Sequence, residues 1–258
     1  MNMISCERIQ EYGSIMKAVL GMKSSSVGVR FLREDEDAGA ALRLSRHRYC
    51  QALMQARRGE DVVLLPDELS CPGAASAFGF RDLPAGLSSG KGLVGFGIVA
   101  DAAAGKAMLD SMTRLYPNQI YGLRLFPLEK APVIPDVVVV EEEVERLMWI
   151  VLSYLHAKGG KRVEGSTAVL QATCVDSTII PFVENRLNFS YGCYGCRDAT
   201  DIGPNEAVLG FPASYLPPII EHLEFLSRRA IPVSRSKKAL ESLDQKETHG
   251  CDDEKMSS

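Results

Sequence analysis

The apolar positions of the chain alternate between helical and strand-like spacing. Over residues 4–20, Ile9, Tyr12, Met16, Val19 and Leu20 share one helical face. Residues 27–32 alternate as a strand, and residues 33–39 read as charged and exposed. Residues 42–58 are expected to be a second helix, with Leu53 and Met54 inward and Gly59 as its stop. A buried strand at 62–65 closes at Pro66, and Cys71-Pro72-Gly73-Ala74-Ala75 opens a turn or short helix. Residues 78–97 hold six glycines and one proline and read as a long loop, a kind of segment often used for function.

The second part repeats the alternation. A helix is expected over 102–115, strands over 123–128 and 136–140, and a helix over 142–158. Val144, Leu147, Met148, Val151, Leu152 and Leu155 of that helix keep helical spacing. Glu141, Glu142 and Glu143 are placed at its N-terminus, where the helix dipole favours negative charge. A strand at 207–211 and a helix at 214–227 follow. The pattern predicts an α/β fold, with mixed α+β as the variant. It comprises one globular domain over 1–232 and a disordered polar tail over 233–258. A helix ending at Gly59 precedes Cys71, and one ending at Gly159-Gly160 precedes Cys174, each cysteine after a strand-like stretch. That internal repeat suggests two related halves, 27–130 and 131–226. Chance similarity of two αβ units is the competing reading.

Composition narrows the class. With 258 residues, 46% apolar, a net charge of −4 and no fixed glycine or proline period, collagen-like, mucin-like and wholly disordered readings fail. The acidic balance argues against a nucleic-acid partner. No run approaches the ~18 apolar residues of a membrane span. Glu7, Glu11 and Lys17 interrupt the first segment, which therefore does not read as a secretory signal. Together with an odd count of seven cysteines, this points to a reducing, cytoplasmic location and no membrane partner.

The chemistry concentrates in cysteine. Cys193-Tyr194-Gly195-Cys196 sets two sulfurs at a spacing that binds a metal or closes a redox disulfide. A thioredoxin-like site needs a long helix after the pair, and Asp198, Asp201, Gly203 and Pro204 leave no room for one. A zinc ribbon needs a second close pair. None exists, and His47, His156, His222 and His249 are scattered. An iron–sulfur cluster wants four thiolates, which Cys71, Cys174, Cys193 and Cys196 would supply if the fold gathers them. Cys50 is a spare candidate, although buried cysteine often serves only as a small hydrophobe. Cys6 and Cys251 carry no assigned role. The run Gly86 to Gly92 fails the phosphate-loop spacing, and Gly92 to Gly97 fails the dinucleotide spacing. Ser177 and Ser190 have no histidine placed for a triad. Asp198 and Asp201 read as loop carboxylates, and Arg197 as a lone candidate for holding an anionic ligand group.

Val27-Gly28-Val29-Arg30-Phe31-Leu32, Arg48 to Cys50, Cys71 with its glycine-rich sequel, Pro135 to Val139, Ala172 to Cys174, and Cys193 to Arg197 occur in one order. That order resembles the domain of unknown function 169 family of archaea and bacteria, over roughly residues 27–226. Glu206 to Pro212 is similar to the family's strand that ends in proline before the last helix. The resemblance carries no activity with it. It implies a shared cysteine site on the pattern Gly-Cys-x-Gly-x-Arg, here Gly192, Cys193, Gly195 and Arg197, which makes Cys193 the core residue and Cys196 a variable one.

The residues name no reaction, and whether the protein is an enzyme stays open. The first expectation is a cysteine-site protein holding an iron–sulfur cluster or other metal for redox or cofactor-related work, with a small molecule or redox protein as partner. The second is a non-catalytic small-ligand module with the 78–97 loop as lid. The third is a thiol–disulfide enzyme using Cys193 and Cys196.

Overall fold

The computed structural model describes residues 4–34, 36, 38–159 and 161–234. Among these residues seven strands form one mixed sheet. They are β1 (Val27–Leu32), β2 (Leu42–Arg43), β3 (Val62–Leu64), β4 (Gly122–Pro127), β5 (Val137–Glu143), β6 (Asn188–Ser190) and β7 (Glu206–Pro212). Their order is β2-β3-β4-β1-β5-β7-β6, and only β2 and β3 pair in parallel. The helices are α1 (Cys6–Leu20), α2 (Tyr49–Arg57), α3 (Pro72–Ala77), α4 (Ala85–Ser88), α5 (Lys91–Gly95), α6 (Ala102–Asp110) and α7 (Val144–Lys158). A π-helix (Ala172–Ile179) then runs into α8 (Ile180–Glu184), and α9 (Tyr194–Ala199), α10 (Leu216–Ser227) and α11 (Ala230–Val233) follow.

Helices cover both faces, which is why the central strands are buried and mostly apolar on both, with Arg30, Arg124, Glu141 and Glu142 as the charged exceptions. Successive side chains point to opposite faces. Val27, Val29, Phe31, Leu123, Leu125, Val137 and Val139 pack with α2, α3 and the π-helix. Phe126, Val138, Val140, Leu209 and Phe211 pack with α1, α7 and α10. The α/β class therefore stands, and the strands of 27–130 lie on one side of the sheet with those of 131–226 on the other.

Four local expectations are corrected. The helix expected over 42–58 starts only at Tyr49. Leu42 and Arg43 instead satisfy the edge of β3, and Arg48 N–H donates to the Gln51 side chain at 3.0 Å to open α2. Residues 78–97 are not a bare loop but carry α4 and α5, which pack with α6 around Leu93 and Leu109. Glu141 and Glu142 are not helix-terminal but lie buried within β5, opposite Val208 and Ala207. Arg57 of α2 compensates Glu141 at 3.4 Å while also bonding Glu206, and Arg146 compensates Glu142 at 2.7 Å. Burial still outweighs the pull of Arg57 and pushes the Glu141 carboxyl up to about 7. Finally, no strand precedes Cys174, which lies within the π-helix. Of the expected tail, Val233 ends α11, and residues 235–258, with His249 and Cys251, lie outside the described residues.

The π-helix lies directly on the backbone of β7. A Cβ at Gly210 would meet the Ser177 carbonyl oxygen at 1.8 Å, so only glycine permits this approach. Gly210→Ala is expected to destabilise the protein by about 3 kcal/mol or more in urea denaturation. Gly95→Ala, at a helical position facing open space, is expected to stay neutral or gain up to about 1 kcal/mol.

A candidate functional site walled by cysteines

Five of the described cysteines, Cys50, Cys71, Cys174, Cys193 and Cys196, line one cavity of about 620 Å³. They arrive on four structural supports. Cys50 sits in the first turn of α2, Cys71 at the N-cap of α3, Cys174 in the π-helix, Cys193 at the N-cap of α9, and Cys196 within α9. Both the four cysteines expected as a set and the spare are thus brought to one wall. The sulfurs are not equivalent. Cys50, Cys193 and Cys196 pack together with Ala172, whereas Cys71 and Cys174 border the main core under α3. Among the described residues, no three Cys, His, Asp or Glu side chains stand close enough together to hold a metal ion. All six cysteines described are free thiols.

Within the trio, the Cys193 thiol donates to Cys196 Sγ at 2.9 Å, and Cys196 in turn hydrogen-bonds the Cys50 thiol. The Cys196 backbone N–H donates to Cys193 Sγ at 3.2 Å, and Thr173 Oγ1 lies 3.5 Å from Cys196 Sγ. Donating to Cys196, together with burial, raises the Cys193 thiol well above its ordinary value. For Cys196, the bond from Cys193 favours the thiolate, but the Cys50 contact and burial outweigh it and leave the thiol pushed up to about 12. Burial, with a smaller Coulombic contribution from neighbouring cysteines, also raises Cys174. Cys174, Cys193 and Cys196 are therefore neutral thiols at ordinary pH.

The resemblance pattern acquires a structural meaning here. Gly192 adopts φ +81°, a left-handed turn that side chains resist, immediately before Cys193. Arg197 is not free to hold a ligand anion. Its guanidinium donates to the carbonyls of Tyr191 (2.7 Å), Gly203 (3.0 Å) and Glu206 (3.0 Å), stapling the turn to β7. The Gly195 carbonyl accepts from Arg48 at 3.1 Å, and Arg48 also reaches Asp198 at 3.4 Å. Arg58 pairs with Asp201. The two carboxylates beside the cysteines therefore tie α9 to α2, which sets Cys50 against Cys196.

The π-helix holds the far wall. Asn188, fully buried on β6, donates to the Asp176 carbonyl at 2.7 Å and to the Ser166 carbonyl at 2.8 Å. The Asp176 carboxylate accepts from Thr167 at 2.7 Å. Thr178 donates to the Thr173 carbonyl at 2.7 Å and meets the Tyr49 hydroxyl at 2.8 Å, joining the π-helix to α2. At its entrance Val169 and Gln171 carry φ of +51° and +55°, costly backbone for non-glycine residues, and Gln171 faces the cavity. The opposite wall is apolar: Leu87, Leu93 and Phe96 come from the 78–97 segment and Ile98 directly follows it, with Leu109 and Leu170 completing the lining. Gln171 escaped the sequence reading, and Arg48, Tyr49 and Thr173 entered it only within the motifs of the family resemblance, because nothing in their local spacing marks them. Arg48 and Tyr49 stand beside Cys50, and that adjacency was the available signal.

A family model described as "Uncharacterised ArCR", the domain of unknown function 169, matches residues 15–222. The chain belongs to that family. It is 31% identical over 179 residues to an uncharacterised protein of Methanocaldococcus jannaschii, covering 69% of this chain and 76% of that protein. No solved structure matches the chain. No helix among the described residues is long and apolar enough to cross a membrane.

Burial pushes the Asp176 carboxyl up to about 6 from 3.8, against the opposing bonds from Thr167 and Ser190. A carboxyl raised on folding binds more protons in the native than in the unfolded chain between those values. Its contribution is therefore full below about pH 4 and lost as pH rises through about 6. In urea denaturation, the wild type is expected to lose about 2–3 kcal/mol relative to Asp176→Asn between pH 4 and 7. A constant difference between the two proteins across that range would remove Asp176 as the titrating group.

Proposed function

We propose that the protein binds a small, largely apolar molecule in this cavity, with the thiol wall meeting one side of the ligand. The observation that carries the reading is the cavity itself. At about 620 Å³ it has the size of a small-molecule site, an apolar cover from the 78–97 segment and a few polar groups converging from Gln171, Thr173 and the cysteines. In this reading the cover serves as the lid. The six free thiols among the described residues suit the reducing cytoplasm, where we place its work.

A second reading is favoured by the convergence of Cys71, Cys174, Cys193 and Cys196. Four thiolates on one wall are the ligand set that an iron–sulfur cluster or another soft metal takes. Holding it requires the Cys71–Cys174 pair and the Cys193–Cys196 pair to draw together and to lose their protons on loading.

A neutral apolar dye such as Nile red tests the first reading directly. One dye is expected to bind per chain. Phe96→Asp, at a lining position 64% exposed and so tolerable to the fold, is expected to weaken binding by about tenfold or more at unchanged melting temperature. Absence of dye binding, or equal binding by the variant, would remove the cavity as the site. Elemental analysis of protein purified without oxygen decides the second reading. Iron near two to four per chain, lost on Cys193→Ser, is its expected signature, and metal-free protein overturns it.

A further inference from the structure

We propose that Cys193 and Cys196 form a dithiol–disulfide centre on the cavity wall that exchanges with a small, uncharged disulfide held in the cavity. The inference rests on the reading of the cavity as a ligand site and names the class of molecule that reacts there. Four observations on separate residues lead to it.

The two sulfurs face each other at 2.9 Å, three residues apart in one turn, so a bond between them needs only side-chain rotation rather than movement of the backbone. Both line a cavity with room for a second sulfur compound. The groups around them receive negative charge on sulfur: the Cys196 N–H and the Ala172 N–H point to Cys193, and the Thr173 hydroxyl and the Cys193 thiol point to Cys196. Finally, the charged side chains of the lining, Arg48 and Asp198, are engaged with each other at 3.4 Å, which leaves no free charge to recognise an ionic ligand.

Cys196 is the attacking sulfur, because it accepts from both Cys193 and Thr173. Its proton leaves to solvent, and the thiolate attacks one sulfur of the bound disulfide. The disulfide bond breaks, one thiolate departs and is protonated, and Cys196 carries a mixed disulfide. Cys193 then loses its proton and attacks Cys196 Sγ. The second thiol departs, leaving a Cys193–Cys196 bond. Two electrons pass from the protein dithiol to the small disulfide, which leaves as two thiols. Cys50, against Cys196, keeps this corner apolar and takes no part in the bond. Because hydrogen-bond donation (Cys193 to Cys196, Cys196 to Cys50) and burial hold both thiols protonated, exchange is slow near neutral pH and rises by close to tenfold per pH unit across the alkaline range below about 12.

The test uses the full chain, reduced and freed of reductant, with bis(2-hydroxyethyl) disulfide as the probe. Intact mass and peptide mapping follow the reaction, and Nile red binding is measured on the same samples. The expected product is a single Cys193–Cys196 disulfide that dithiothreitol reverses. Cys193→Ser is expected to accumulate one mixed disulfide on Cys196, Cys196→Ser to form neither product, and Cys50→Ser to keep the wild-type bond. Glutathione disulfide, charged and larger, is expected to react about tenfold more slowly or worse. A Cys50–Cys196 bond, adducts confined to Cys6 or Cys71, or no reaction up to pH 9 with dye binding intact would overturn the centre while leaving the ligand site standing. Loss of dye binding together with absent exchange would overturn both.

Discussion

The contact on which the cysteine side of this protein depends is the seating of the π-helix on the bare backbone of β7 at Gly210. A π-helix has poorer internal hydrogen bonding than an α-helix, and this one is buried along its whole length with Thr173, Asp176, Ser177 and Thr178 inside it. The fold offsets that cost with specific partners: Asn188 for the Asp176 carbonyl, Thr167 for its carboxylate, and Tyr49 for Thr178. Ser177 Oγ has no hydrogen-bond partner among the described residues, so part of the cost stays unmet. Strained φ values at Val169 and Gln171 add to it. Such expense at one element, adjacent to the largest thiol grouping in the chain, follows the common association of π-helical turns with functional sites.

Tyr49 carries the position of the π-helix into α2, and α2 carries it onward. Arg48 and Arg58 bind the α9 segment from outside, while Cys50 meets Cys196 from within. The result is a thiol wall assembled from four separate stretches of chain, with no histidine or lysine beside it among the described residues and with its lining arginine, Arg48, paired to Asp198. That electrostatic setting separates these cysteines from strongly activated nucleophiles, whose thiolates form near neutral pH beside cationic groups. Neutral, closely spaced thiols facing an apolar chamber suit soft ligands and slow exchange better than rapid acyl or phosphoryl chemistry.

The two faces of the sheet divide the work. On one, α1, α7 and α10 close a continuous apolar core around Phe126, Leu209 and Phe211. On the other, the core gives way to a chamber whose cover is a small satellite cluster of Leu93, Leu109 and Leu170. A cover with its own minor core, joined to the body by few apolar contacts, belongs to the low-stability end of a fold, where ligand-gating segments are drawn from.

The elements with one strong period were legible from residues alone. β1, β5, β7, α1 and most of α7 lie where the apolar spacing placed them, because strands and amphipathic helices print their burial pattern directly into sequence. The Cys193–Cys196 pair and its lack of a long following helix were legible too, from spacing and from Asp198 to Pro204. The edge strand at Leu42, the burial of Glu141 and Glu142, and the π-helix were not. Each exists because a distant partner satisfies it: β3 for Leu42, Arg57 and Arg146 for the glutamates, and Gly210 with Asn188 for the π-helix. The sequence by itself determined the α/β class and the thiols available. Tertiary structure alone decided that five of those thiols share one wall, since α2, α3, the π-helix and α9 meet only once the sheet has formed beneath them.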